Sequence, residues 1–304
     1  MVTPGKRITA YGSAILLVLA TLTVTTAATA TAASGHKELC GPGSAIDFDP
    51  WEFPASPRIN NKWFPLKPGM QYTTDGTVTS ADGTSAHKVV HTVTGLTKVI
   101  DGVNTLVMWD RDYSDGELAE SELAFFAQSD DNNVWLFGEY PEEYENGEFV
   151  GAPSTFISGI ATAQAGIAMQ AHPRTGTPAY VQAYAPKVDF LDCGQVVKKN
   201  QHVSVPTGRY DDVLVIDEYN PLDPPTAGHQ RKFYSAGTGL VRVTAVGGDQ
   251  QETMDLVKIR KLSDAQLSKV NDQALELDKR AYKVSKDVYA KTPPAVEVAP
   301  RHRG

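Results

Sequence analysis

Asp110 to Glu120 read DRDYSDGELAE, and the fold turns on whether this stretch wraps a cation or reverses a strand. An EF-hand calcium loop needs oxygen ligands at its first, third and fifth positions, Gly at the sixth and a bidentate Glu at the twelfth. Counted from Asp110, Asp112 and Ser114 fit, but Asp115 takes the glycine position and Ser121 that of the glutamate. The flanks do not read as helices either. Residues 106–113 and 118–128 read as strand-like runs, so the stretch reads as a hairpin turning at Ser114-Asp115-Gly116.

The same pattern extends outward in both directions. Short β-branched and aromatic runs punctuated by Gly, Asp, Asn and Pro recur from 71 to 262, with Asp101-Gly102 marking another tight turn. Residues 152–178 are rich in Ala and Gly and read as a long connection. The expectation is a mainly β fold, a curled antiparallel meander sheet of half-barrel or barrel-like form. At 263 the period changes. Ser263 and Gln266 form a capping box, and Leu267, Val270, Ala274, Leu277, Ala281, Val284 and Val288 lay an apolar stripe along a C-terminal amphipathic α-helix that Pro293-Pro294 should stop. The expected organisation is a signal peptide over 1–33, an extended N-terminal segment over 34–70, the β domain over 71–262, the helix over 263–292 and a disordered tail over 293–304.

The first of these segments sets the compartment. Lys6 and Arg7, an apolar run from Ala14 to Ala20 and a small-residue tract ending at Ala33 make a secretory leader. The run is too short for a membrane span, so no transmembrane anchor is expected after processing. The residues before Cys40 lack the small side chains of a lipidation site. Removing the leader takes the formal charge from −8 to −10, which argues against nucleic-acid binding. In an extracellular, oxidising compartment Cys40 and Cys193 should form a disulfide.

The remaining chemistry is sparse. No Gly-x-Ser-x-Gly elbow, phosphate loop, CxxC pair or HExxH helix occurs, so the sequence leans away from an enzyme without closing the question. His87 and His91 are four apart, but on a strand that separation spans about 13 Å, too far to share a metal. Thirteen acids lie between Asp110 and Glu148 against the lone base Arg111. One reading makes them a solvated edge that discourages strand pairing. The other makes Asp110, Asp112, Asp115, Asp130 and Asp131 ligands of calcium, the one cofactor the sequence admits. Trp109, Trp135, Tyr180 and Tyr184 could line a cavity between curled sheet and helix.

On the segments Trp109 to Leu118, Asn133 to Glu139, Glu143 to Gly147 and Tyr234 to Val241, the chain resembles a widespread, functionally uncharacterised family of secreted bacterial proteins, over roughly 60–246. Where that family reads Gly, this chain has Asn132, which can also adopt the left-handed conformation. More loosely, the pattern is similar to the curled half-barrels of bacterial lipid and lipoprotein carriers. The resulting expectation is a secreted, non-enzymatic binding or envelope-associated module holding an apolar or amphiphilic ligand, its partner a small molecule or cell-envelope component. A calcium-stabilised extracellular structural protein and a carboxylate-dependent hydrolase are the alternatives.

Overall fold

The computed structural model describes residues 38–298, so the leader and the last residues of the tail lie outside it. Its strands are β1 (Met70–Ser80), β2 (Gly83–Ile100), β3 (Val103–Ser114), β4 (Glu117–Gln128), β5 (Val134–Glu145), β6 (Glu148–Gly151), β7 (Phe156–Ile157), β8 (Gln164–Met169), β9 (Tyr180–Ala185), β10 (Phe190–Val205), β11 (Gly208–Tyr219), β12 (His229–Ser235), β13 (Gly239–Val246), β14 (Gln251–Lys261) and, after the helix α1 (Asp264–Val284), β15 (Val296–Glu297).

All pairings are antiparallel. Twelve strands run in the order β1-β14-β13-β12-β11-β10-β9-β8-β5-β4-β3-β2, and β2 pairs back onto β1 from Gln71↔Thr92 to Ser80↔Gly83. The half-barrel alternative is therefore corrected: the sheet closes, and closure removes the open edges that a half-barrel would have to protect. β6 and β7 hang on β5, and β15 continues the ladder on β2. The long connection expected over 152–178 contains β7 and β8, short strands whose Ala and Gly composition hides their period.

The turns follow their residues. Asp101 and Gly102 have φ of 51° and 81°, and Asp115 and Gly116 of 49° and 87°, the paired positive values of a two-residue hairpin. Asn132 has φ 69°, so it does take the conformation that Gly would supply.

Two apolar layers sit on opposite faces of the wall β2–β5. Inside, Leu106, Met108, Ala124, Phe126, Val134 and Leu136 face the lumen. Outside, Val107, Trp109, Leu123, Phe125, Trp135, Phe137 and Tyr140 meet Ala274, Leu277 and Ala281 of α1. Being apolar on both faces explains the unbroken run Leu123-Ala124-Phe125-Phe126-Ala127. Ser263 caps α1 with both reciprocal bonds of a capping box. The small residues Ala274 and Ala281 allow close approach, and Gly95 lets Asn271 Oδ1 accept its backbone N–H at 2.9 Å, where a Cβ would lie 2.9 Å from Asn271 Nδ2. Helical geometry ends at Val284, which is exposed, and a 3-10 turn (Tyr289–Lys291) leads to Pro293.

The segment before β1 is not merely extended. Ile59 and Leu66 form an isolated bridge, and with Phe64 and the buried Trp63 they pack into the inner core as a plug across one end of the barrel. Gln128 Oε1 accepts from the N–H groups of Asn60 and Asn61, each at 2.8 Å, which fixes the plug to the wall. The disulfide Cys40–Cys193, with Cα atoms 5.8 Å apart, ties this segment to β10.

Candidate functional site

An eight-stranded barrel is just filled by its side chains, whereas twelve strands leave space. The space is a cavity of about 410 Å³ within the lumen. At the plug end it is lined by Phe64, Leu66, Met108, Phe126, Leu136 and Leu240. Towards the β3–β4 turn and the 220–228 loop the lining becomes charged.

Two irregularities in the sheet put acids on that lining. Across the β3–β4 turn Ser114 faces Glu117, and regular pairing would continue to set Asp112 opposite Ala119 and Asp110 opposite Ser121. A bulge between Asp112 and Tyr113 instead sets Asp112 opposite Glu120 and Asp110 opposite Glu122. Since a one-residue slip turns every later side chain to the other face, this bulge points Glu120, Glu122, Ala124 and Phe126 inward. A second bulge, where Phe125 faces Gly138 and Phe126 faces Leu136, brings Glu139 inward and leaves Tyr140 under the helix. Like charges directly opposite one another on paired strands are destabilising. The lumen holds two such pairs side by side.

Cations offset only part of this charge. His87 Nε2 lies 2.7 Å from Asp112 Oδ1, and its Nδ1 lies 2.7 Å from Glu252 Oε1, a charge contact with poor hydrogen-bond geometry. Burial alone would lower this imidazole, but its two carboxylates outweigh burial and raise it to about 10. His91 Nδ1 is 3.0 Å from Asp110 Oδ2. Lys232 pairs with Glu218, and the attraction of Glu218 and Asp192 overcomes burial to raise the ammonium above its ordinary range.

No side-chain hydrogen bond or ion pair reaches Glu120, Glu122 or Glu139 among the described residues. Burial first, then neighbouring carboxylates, push Glu120 and Glu139 up to about 8 and Glu122 well above its ordinary value. Asp192 rises to about 7, through burial and then Glu218. Buried polar atoms are also left over. Gln182 is 5% exposed; its Nε2 donates to Ala168 O and Glu218 Oε1, while its Oε1 has no partner. Asp110 Oδ1 and the Tyr180 hydroxyl are likewise unpaired.

The residues singled out from sequence fall in several places. Asp110 and Asp112 line the cavity, Asp115 sits in the β3–β4 turn accepting the Ala86 N–H, and Asp130 and Asp131 lie in the β4–β5 turn at the other end of β4. Among the described residues no group of three or more His, Cys, Asp or Glu side chains is placed to hold a metal ion. Trp109 and Trp135 are on the outer face, donating to Ser121 Oγ and Ser129 Oγ. Tyr180 belongs to the inner core, and Tyr184 packs near the disulfide. The helix covers the outer wall with packed side chains, and the cavity lies inside the barrel rather than between sheet and helix. The acids split likewise: Asp115, Glu117, Asp130 and Asp131 are a solvated edge, whereas Glu120, Glu122 and Glu139 face inward. His87 and His91 are inward too, each held by a carboxylate and not placed on the surface.

No protein-family model matches the chain, and no curated protein matches it. Two solved structures match the chain. One is a Bacteroides fragilis chain named as an exported protein with a YmcC-like fold, with a TM-score of 0.40 and 15% identity over 66% of this chain and 100% of that one. The other is a Parabacteroides distasonis chain named as a lipoprotein, with a TM-score of 0.34 and 12% identity over 65% and 97%.

Proposed function

We propose that this chain is an exported, non-enzymatic binding barrel whose lumen holds a small amphiphilic molecule, its apolar part against the plug and its polar part among the inward carboxylates. The observation that carries the reading is the cavity itself: about 410 Å³ inside a closed barrel, apolar at one end and charged at the other. That volume is within the range of small-molecule sites, as is a mostly apolar lining with a few convergent polar groups. The inward acids support it from a second side. A structural role would favour apolar residues at Glu120, Glu122 and Glu139, and departures from local consistency concentrate where function requires them. Export is supported by the leader pattern and by the Cys40–Cys193 bridge, which persists in an oxidising compartment.

Native mass spectrometry of the mature chain purified from its own host tests this. The expected result is an added small-molecule mass that Ala124→Phe, which fills the lumen, abolishes without unfolding the protein. A ligand-free mass throughout, or a bound mass indifferent to Ala124→Phe, would refute it.

A second reading, acid–base hydrolysis, is favoured by one observation: Asp110, Glu122 and Glu139 line one cavity, with Glu139 protonated near neutrality. Turnover of glycoside or ester substrates that Glu139→Gln removes would establish it; binding without turnover leaves the first reading in place.

A further inference from the structure

Building on the lumen reading, we infer that the ligand's polar end is an organic ammonium, received by Asp110, Glu122 and Glu139 with the Gln182 carbonyl oxygen as an additional acceptor. Two of the groups left unmatched on the lumen side are acceptors by nature; the others, the Tyr180 hydroxyl and the Nδ1 atoms of His87 and His229, can donate, and of these His87 already faces Glu252. Asp110 Oδ1 and Gln182 Oε1 are buried without a donor, and Gln182 lines the cavity while nine-tenths buried. Glu122 and Glu139 face the same space with no donor among the described residues. An ammonium brings several N–H donors and a positive charge, and answers both deficits at once.

The alternatives fit less well. An anionic head would meet the inward carboxylates with Lys232 already held by Glu218. A neutral hydroxyl brings one donor for four acceptors and no charge. A bare divalent ion requires converging ligands, and the described residues provide no such group. The apolar floor of Phe64, Met108 and Phe126 lies beyond the acids, where an amine's hydrocarbon part would sit. Binding should also move protons. Glu120 and Glu139, at about 8, are largely protonated at neutral pH, and a cation beside them and beside Asp110, Asp112, Glu122, Glu143, Asp192 and Lys232 favours their ionised forms.

The test is calorimetric titration of the mature chain with octylammonium chloride, octanol and sodium octanoate, in two buffers of different ionisation heat. We expect the amine to bind with proton release, octanol at least about tenfold more weakly and octanoate not at all, since charge-assisted hydrogen bonds are roughly twice as strong as neutral ones and that difference amounts to about this ratio in affinity. Glu122→Gln/Glu139→Gln should bring the amine down to the level of the alcohol. If amine and alcohol bind equally to the unmodified chain, or the amine's advantage survives in the double variant, the ammonium inference fails while the lumen reading stands. If none of the three binds, or if Ala124→Phe leaves amine and alcohol binding untouched, the lumen reading fails and this inference with it.

Discussion

Two sets of ionisable side chains occupy opposite faces of the same wall, and they are treated differently. Beneath the helix the buried Lys98, Asp278 and Glu142 are each met. Lys98, 1% exposed, donates to Asp278 Oδ1 at 3.0 Å, to the Tyr282 hydroxyl at 2.9 Å and to Pro293 O at 2.8 Å, with the Tyr289 ring 4.2 Å from its ammonium. Asp278 also accepts from the Tyr289 hydroxyl and the Ala295 N–H. Glu142, fully buried, receives both arms of Arg280 and the hydroxyls of Tyr140 and Tyr144. Inside the lumen, Glu120, Glu122 and Glu139 have no such partners among the described residues. A buried charge that is fully met specifies a geometry, here the seat of the helix; one left unmet raises the energy of the empty protein and is available to a ligand.

If that contrast is right, deletions on the two faces should have opposite signs. The largest loss should come from Lys98→Met, which strands Asp278 in the core and should cost about 3–5 kcal/mol. Chemical denaturation would measure it, and adding Asp278→Leu should recover part of the loss by removing the stranded charge. Arg280→Ala should cost less, about 1–2 kcal/mol, because Glu142 keeps two tyrosine donors and Arg280 is itself half-exposed. A Lys98→Met protein as stable as the parent would erase the distinction.

In the lumen the sign reverses. Glu122→Gln/Glu139→Gln should stabilise the ligand-free protein by about 1 kcal/mol at alkaline pH, the scale of opposed like charges on neighbouring strands. The pH dependence sharpens this. Glu120 and Glu139 ionise near 4.5 when unfolded and near 8 when folded, so the folded state holds protons that the unfolded state has released. Their contribution is fully present below 4.5 and is lost as pH rises through about 8. His87, raised from 6.5 to about 10, acts in the same direction at higher pH. The denaturation midpoint should therefore fall from mildly acidic to alkaline conditions, and the double variant should flatten that fall. A midpoint rising with pH would mean that the lumen acids are compensated.

How far the two faces could be read from sequence also differs. The helix side was largely legible, since the capping box, the stripe and the bulky Trp109, Leu123, Phe125 and Phe137 obey simple periods. Its polar anchors were not, because Lys98 and Asp278 are 180 residues apart and neither breaks a pattern. The lumen failed for a sharper reason. A two-residue turn at Asp115-Gly116 suggests regular pairing, which would place Asp110 opposite Ser121. The bulge after Asp112 reverses the facing of β4, and no residue type there announces it. Glu120 and Glu122 thus read as solvent-facing when they point inward. Their alternation with Ala124 and Phe126 was the available signal, once Met108, Asp110 and Asp112 are taken as one inward face.

The smallest expected effect concerns calcium. Asp110 and Asp112 contact His91 and His87, Asp115 accepts the Ala86 N–H, and Asp131 accepts from Ser129 Oγ and the Asn133 N–H. Asp130 and Asp131 stand at the far end of the 12-residue strand β4, roughly 35–40 Å from Asp115. One ion cannot join groups so separated. An ion bound at a hundredfold excess over its Kd would add about 2.7 kcal/mol, a shift of roughly 5–10 °C in Tm for a chain of this size. We expect calcium and chelator to leave Tm unchanged. A calcium-dependent rise that Asp110→Asn abolishes would mean the lumen acids receive a metal and not an amine, and the contrast between the two faces would then need a different cation, not a different logic.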